Sequence, residues 1–158
     1  MVVATRTKTG RVYHQHKFNP LRNFGNYKNR TKNNFKTLVS FMHANPIRVN
    51  TNLYRGTSAS FIRRLLTNGY LDNNRLTPFT RTRNIAKTFT QHHTNNTGQI
   101  LVLEPGRYPA INERRYKGHS SENEITLAPG RYILMGYTPA GNLKVKYIPA
   151  PLRQSIRL

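Results

Sequence analysis

The chain has no cysteine, and this removes several chemistries at once. It can have no disulfide framework, no thiolate metal site and no cysteine nucleophile. Acid is nearly as scarce. Among 158 residues only Asp72, Glu104, Glu113, Glu122 and Glu124 carry side-chain carboxylates, against 26 Lys and Arg, for a formal net charge of +21. No apolar run approaches membrane-spanning length, and the opening MVVATRTKTGRVYHQHK lacks the apolar stretch of a secretory leader. The expectation is an intracellular or virion-associated protein without a secretion signal. With 36% hydrophobic residues, the chain can build about one domain with a modest core and leave some residues unpacked.

What is present in excess is positive charge. A surface this basic attracts polyanions at low salt almost regardless of fold, DNA or RNA first, an anionic membrane or an acidic protein next. Such a chain suits packaging with a genome, as in a virus particle. Residues 1–32 contain no acid and little apolar periodicity, and their basic residues alternate with Tyr13, Phe18, Phe24 and Tyr27. They read as an extended or disordered basic arm whose aromatics either stack on bases or dock on the protein's own core. A folded domain over 33–150 and a basic tail over 151–158 complete the expected organisation.

Regular structure is expected from about Asn34. Phe35, Leu38, Val39 and Met42 fall at helical spacing, and Pro46 ends that run. VNTNLYRG reads as a short strand. TSASFIRRLLTNG reads as a helix with hydroxyl caps, an apolar face of Phe61, Ile62, Leu65 and Leu66, and Gly69 as its stop. LTPFT suggests another strand, and RNIAKTF puts Ile85, Ala86 and Phe89 on one helical face. After the turn-rich HHTNNTG come QILVLEP, NEITLAP, RYILMGY and LKVKYI, four strands separated by Pro and Gly. The reading is α+β, helices feeding into short, mostly antiparallel strands.

Three stretches could carry chemistry. In LYRGTS, Arg55 at a strand end offers a planar fork for phosphate, and Gly56 lets a ligand approach the backbone. In LTPFTRTRNIAKTF, a Thr-rich strand end runs into a helix N-terminus, where an anion is favoured; simple capping by Thr80 or Thr82 is the plainer account. In SSENEITLAPG, Glu122 and Glu124 stand at strand spacing and so on one face. Two like charges that close raise each other's pKa, and a chain with so few acids has little reason to pair them for solubility. The histidines give no metal site: His14 and His16 flank Gln15, and His92 and His93 are adjacent, without cysteine or nearby acid.

Taken in order, NLYRG, the hydroxyl-rich LTPFT before the A-x-x-F helix, and ENEITLAPGRY resemble the Arg–Ser–Glu class of mono-ADP-ribosyltransferases, over about Phe35 to Tyr147. That class includes arginine-modifying bacterial toxins and vertebrate ecto-enzymes. The resemblance implies a single ADP-ribosyltransferase-like domain, a split β-sandwich flanked by helices. It implies NAD as substrate, release of nicotinamide and no metal.

By position, Glu124 would stabilise the ribosyl cation through the 2′-OH, and Glu122 would orient and deprotonate an arginine acceptor. Arg55 would hold the pyrophosphate or ribose, Gly56 would meet the nicotinamide amide, and Thr80 would brace Glu124. Thr57, Thr77 and Phe89 would complete the NAD site. The middle motif departs from the family's Ser-x-Ser: Pro78 falls at the first Ser and Thr80 at the second, unless a small shift brings Thr77 into the role. Arg114, Arg115 and Tyr116 lie where the family has its acceptor-recognition loop. The alternative is a structural or nucleic-acid-binding protein on the same fold with little or no activity.

Overall fold

A computed structural model describes residues 32–93, 98–112 and 124–152. Three helices and ten strands are described in chain order: α1 (Lys32–Ala44), β1 (Ile47–Val49), β2 (Leu53–Thr57), α2 (Ala59–Asn68), β3 (Tyr70–Asn73), β4 (Thr77–Thr80), α3 (Arg83–His93), β5 (Gln99–Leu103), β6 (Gly106–Tyr108), β7 (Ala110–Asn112), β8 (Glu124–Leu127), β9 (Gly130–Tyr137) and β10 (Leu143–Pro149). The expected basic arm lies outside the described residues, apart from Lys32, which opens α1.

Each helix ends for a local reason. At the end of α1 the Asn45 side chain donates to the Phe41 carbonyl at 2.9 Å, and Pro46 cannot continue the ladder. In α2 the Ser58 hydroxyl accepts from the Phe61 N–H at 3.3 Å, and Gly69, at φ 78°, returns its N–H to the Leu65 carbonyl. Ile62 and Leu65 are buried as the spacing predicts, but Leu66 at the margin of that face is 44% exposed. A stripe of two buried residues with Phe61 beside them suffices to seat the helix.

Eight strands form one sheet in the order β3-β9-β10-β5-β2-β4-β8-β7, antiparallel throughout except for β10 with β5. The ladder between β2 and β4 is a single pair, Tyr54 with Thr80, whereas β2 pairs with β5 along all five of its residues. The sheet is therefore two halves, β3 to β2 and β4 to β7, joined at one point. Phe79 on β4 stacks on Tyr132 of β9 with ring centroids 6.0 Å apart. In a flat sheet, four strand spacings would separate those strands by roughly 19 Å. The halves must fold over one another, and the main core lies between them.

Leu53, Leu101, Tyr132, Leu143 and Tyr147 come to this core from one half; Phe79, Ile125 and Leu127 come from the other. This is the split β-sandwich. A second cluster seats Leu38, Val39, Phe41 and Met42 of α1 on Ile111 and Ala128, and a third holds Ala86 of α3 against Ile100 and Val102.

Strands β1, β3, β6 and β7 are absent from the sequence reading. They are three or four residues long and are ordered by their partners rather than by their own periodicity. β1 and β6 make a separate two-stranded ribbon.

Candidate active site

The single β2–β4 pair decides where the site forms. Tyr54, Thr80 and Glu124 lie in one row across β2, β4 and β8, because Tyr54 pairs with Thr80 and Thr80 with Glu124. Directly opposed side chains on one face stand about 5 Å apart. Beyond this row β2 and β4 part, and Arg55 fills the wedge. Its Nη1 donates to the Pro78 carbonyl at 2.8 Å, closing by side chain what the backbone ladder leaves open.

That bond also explains the proline. In an antiparallel strand a residue's N–H and carbonyl point to the same side. The Pro78 carbonyl faces Arg55, so the missing N–H belongs to the open side and β4 loses no bond to β8.

Arg55, Thr80 and Glu124 line a cleft of about 170 Å³ with Tyr54, Gly56, Pro78 and Phe79; Ile85, Ala86 and Phe89 of α3 form the opposite wall. α3 lies this close because residue 56 is glycine. A Cβ there would stand 2.4 Å from the Ala86 carbonyl oxygen and 2.9 Å from Phe89 Cδ1. The Thr80 hydroxyl accepts from the Thr82 N–H at 3.1 Å, turning the chain from β4 into α3. So Thr80 both faces Glu124 across the ladder and sets the helix entry.

Burial holds the Arg55 pKa below its ordinary value, while Tyr132 and the negative charge of Glu124 pull it back up. The Arg55 Nε is buried without a hydrogen-bond partner among the described residues. Behind it, Tyr132 is fully buried and its pKa is pushed far up, chiefly by desolvation, so the phenol stays neutral. The cleft thus joins a half-buried guanidinium to a half-buried carboxylate.

Two expected NAD contacts are not brought to this cleft. Thr57 is 3% exposed and is not among the residues that line the cleft. Thr77 is 2% exposed; its hydroxyl accepts from the Asn73 side-chain amide at 2.7 Å and is also engaged with the Arg75 carbonyl. Thr80 lines the cleft and Thr77 does not, so the middle motif meets the cleft through Thr80. Glu122, Arg114, Arg115 and Tyr116 lie outside the described residues.

Tyr54 and Tyr132 were missed. Tyr54 could have been found from its period-two relation to Gly56, but Tyr132 carries no signal beyond that of an ordinary core aromatic. A larger depression of about 590 Å³, between β3, β9 and the end of β10, is lined by Pro129, Gly130 and Arg131 of the third motif but by none of the candidate site residues, and its carboxylate, Asp72, is engaged by Arg131 at 2.6 Å. No group of three metal-ligating side chains occurs among the described residues, and no described helix is long and apolar enough to cross a membrane.

No family model matches the chain, and no curated protein matches it in sequence. Solved structures do. The ADP-ribosyltransferase Vis, a toxin from Vibrio splendidus whose crystal structure holds the M6 inhibitor, aligns with a TM-score of 0.51 at 17% identity, over 75% of this chain and 56% of its own. The ADP-ribosyltransferase HopU1 of Pseudomonas syringae pv. Tomato DC3000 aligns at a TM-score of 0.46 and 18% identity, over 68% of this chain and 48% of its own. The chain therefore spans about half the length of the solved structures it matches. At this level of identity the likeness concerns architecture: the chain has the ADP-ribosyltransferase fold.

Proposed function

We propose that the chain is an NAD-dependent mono-ADP-ribosyltransferase, acting on a protein side chain and most simply on arginine. The observation that carries this reading is the meeting of Arg55 and Glu124 at one cleft, with Thr80 directly opposite Glu124. Arg55 brings a planar guanidinium to the cleft lining, a group suited to a phosphate or ribose oxygen. The cleft, at about 170 Å³, is smaller than an ordinary ligand pocket of roughly 300–1,000 Å³, so only one end of the dinucleotide would enter it.

Breaking the bond between nicotinamide and ribose C1′ leaves the electron pair on the nicotinamide nitrogen and positive charge on the ribose. A fixed carboxylate at Glu124 stabilises charge that develops only on the way to the transition state. The acceptor nitrogen then bonds to C1′ and gives up a proton, for which Glu122 is the proposed base. A guanidinium is otherwise protonated at neutral pH, so an arginine acceptor needs such a group. We assign acceptor recognition to Arg114, Arg115 and Tyr116, and retention near nucleic acid, within a cell or a virus particle, to the basic surface.

The test is incubation with NAD labelled in its ADP-ribose half, with and without a guanidino acceptor. The wild type releases nicotinamide and labels the acceptor. Glu124→Gln loses both by 100-fold or more, on the order of 3 kcal/mol of transition-state stabilisation, and keeps its melting temperature. Glu122→Gln retains hydrolysis and loses transfer. Normal nicotinamide release by Glu124→Gln would rule out the assignment. A second reading, a nucleic-acid-binding protein on this fold, is favoured by the +21 charge and the small cleft; an inactive wild type selects it.

A further inference from the structure

The ribbon of β1 and β6 contains an arrangement that short strands ordinarily avoid. Its register pairs Ile47 with Tyr108, Arg48 with Arg107 and Val49 with Gly106. Alternation turns Ile47, Val49 and Tyr108 toward the core and leaves Arg48 and Arg107 exposed on the other face, directly across from each other. Like charges at directly opposed positions destabilise a strand pair, and this ribbon, three residues long, is held mainly by the packing of its other face on the core.

No described carboxylate relieves the repulsion. Asp72 is engaged by Arg131 and Glu104 by Lys144, and Glu124 lies in the cleft. Among the described residues neither Arg48 nor Arg107 has an ion-pair or hydrogen-bond partner.

We propose that Arg48 and Arg107 form a clamp for the phosphate backbone of a nucleic acid. Two arginines whose Cβ atoms stand about 5 Å apart on one face can bring their planar forks to one phosphate from both sides or to two successive phosphates. Bound phosphate converts the cross-strand repulsion into attraction and so stabilises the ribbon. A membrane surface fits less well, because interfacial binding adds apolar insertion to charge. Among the described residues the exposed large apolar side chains are Leu66, Tyr70, Phe89, Met135, Tyr137, Ile148 and Leu152, on α2, β3, α3, β9, β10 and just past β10, and none is on this ribbon. The clamp rests on the polyanion part of the proposed function and gives it a place in the fold. It is independent of NAD chemistry.

The experiment uses the full chain and a fluorescent single-stranded DNA 20-mer, titrated across salt. The double variant R48Q/R107Q is expected to lower the slope of log affinity against log salt by about 1.4, two phosphates at about 0.7 each, and to weaken binding on the order of 10-fold or more at 0.1 M salt. The double variant R63Q/K87Q removes the same charge from exposed positions on α2 and α3 and is expected to change the slope by less than half as much. Without DNA, R48Q/R107Q should melt higher than the wild type; with DNA, the wild type should gain more.

Equal slope losses in the two double variants would overturn the clamp, since charge alone would then account for binding. So would preference of the wild type for phosphatidylserine vesicles or polyglutamate over DNA, if R48Q/R107Q abolished that preference. NAD turnover of R48Q/R107Q should be unchanged, so failure of the clamp and failure of the catalytic reading are separate outcomes.

Discussion

Gly56 is the residue on which the cleft's shape depends most. A methyl group there would meet the Ala86 carbonyl at 2.4 Å, a backbone atom that cannot rotate away, as well as the Phe89 ring. Gly56→Ala must push α3 outward or distort β2. Overpacking of this kind costs about 1–3 kcal/mol, and each kcal/mol lowers the melting temperature by about 2–4 °C in a chain of this length. Because Phe89 lines the cleft, the same shift should raise KM for NAD several-fold. Thermal denaturation alongside NAD kinetics checks both; an unchanged melting temperature would mean that α3 does not seat on residue 56. Arg55 shows how one residue serves fold and site together. Its bond to Pro78 fastens two strands, and the same side chain lines the cleft.

Among the elements, α1 links stability to pH. Burial lowers the His43 pKa below the ordinary 6.5, and its Nε2 is buried without a hydrogen-bond partner among the described residues. The unfolded chain therefore takes up a proton near pH 6.5 while folded His43 resists it. The sign follows: stability is retained above about pH 6.5 and falls as pH drops from there through the lowered folded value. Below that value both states are protonated and His43 adds no further slope. His43→Gln should flatten the loss of stability between about pH 7 and pH 5, measured by denaturant unfolding at several pH values. An identical slope in the variant would assign the loss elsewhere. The effect bears on the site because α1 packs on Ile111 of β7 and on Ala128, just past β8, which begins at Glu124.

For the molecule as a whole, charge is the dominant quantity. Residues 1–31 carry Lys and Arg but no acid, whereas the matched motifs begin later. Removing residues 1–31 should weaken binding to DNA or RNA and reduce its salt slope while sparing NAD turnover. Salt titrations of the two proteins, with nicotinamide release measured in parallel, test this. Unchanged affinity would confine polyanion binding to the folded domain. Truncation at residue 31 keeps Lys32, the first residue of α1.

The sequence by itself determined the local structure around the site. The hydroxyl and glycine caps of α2, the apolar face of α3 and the strand pattern of NEITLAP depend on neighbours a few positions away, and they were legible. So were Arg55 and Glu124 as candidates, because a rare acid beside another acid and an arginine before glycine stand out in this composition. The tertiary structure decided that the two belong to one cleft. Their meeting depends on the β2–β4 ladder ending after Tyr54 and Thr80, and on Phe79 and Tyr132 stacking across a folded-over sheet. Neither event has a short-range sequence period. The same distinction explains Thr57 and Thr77, where composition offered a hydroxyl and the fold buries it outside the cleft lining. It also explains Arg48 and Arg107, two ordinary surface cations in sequence that the ribbon's register sets directly opposite each other.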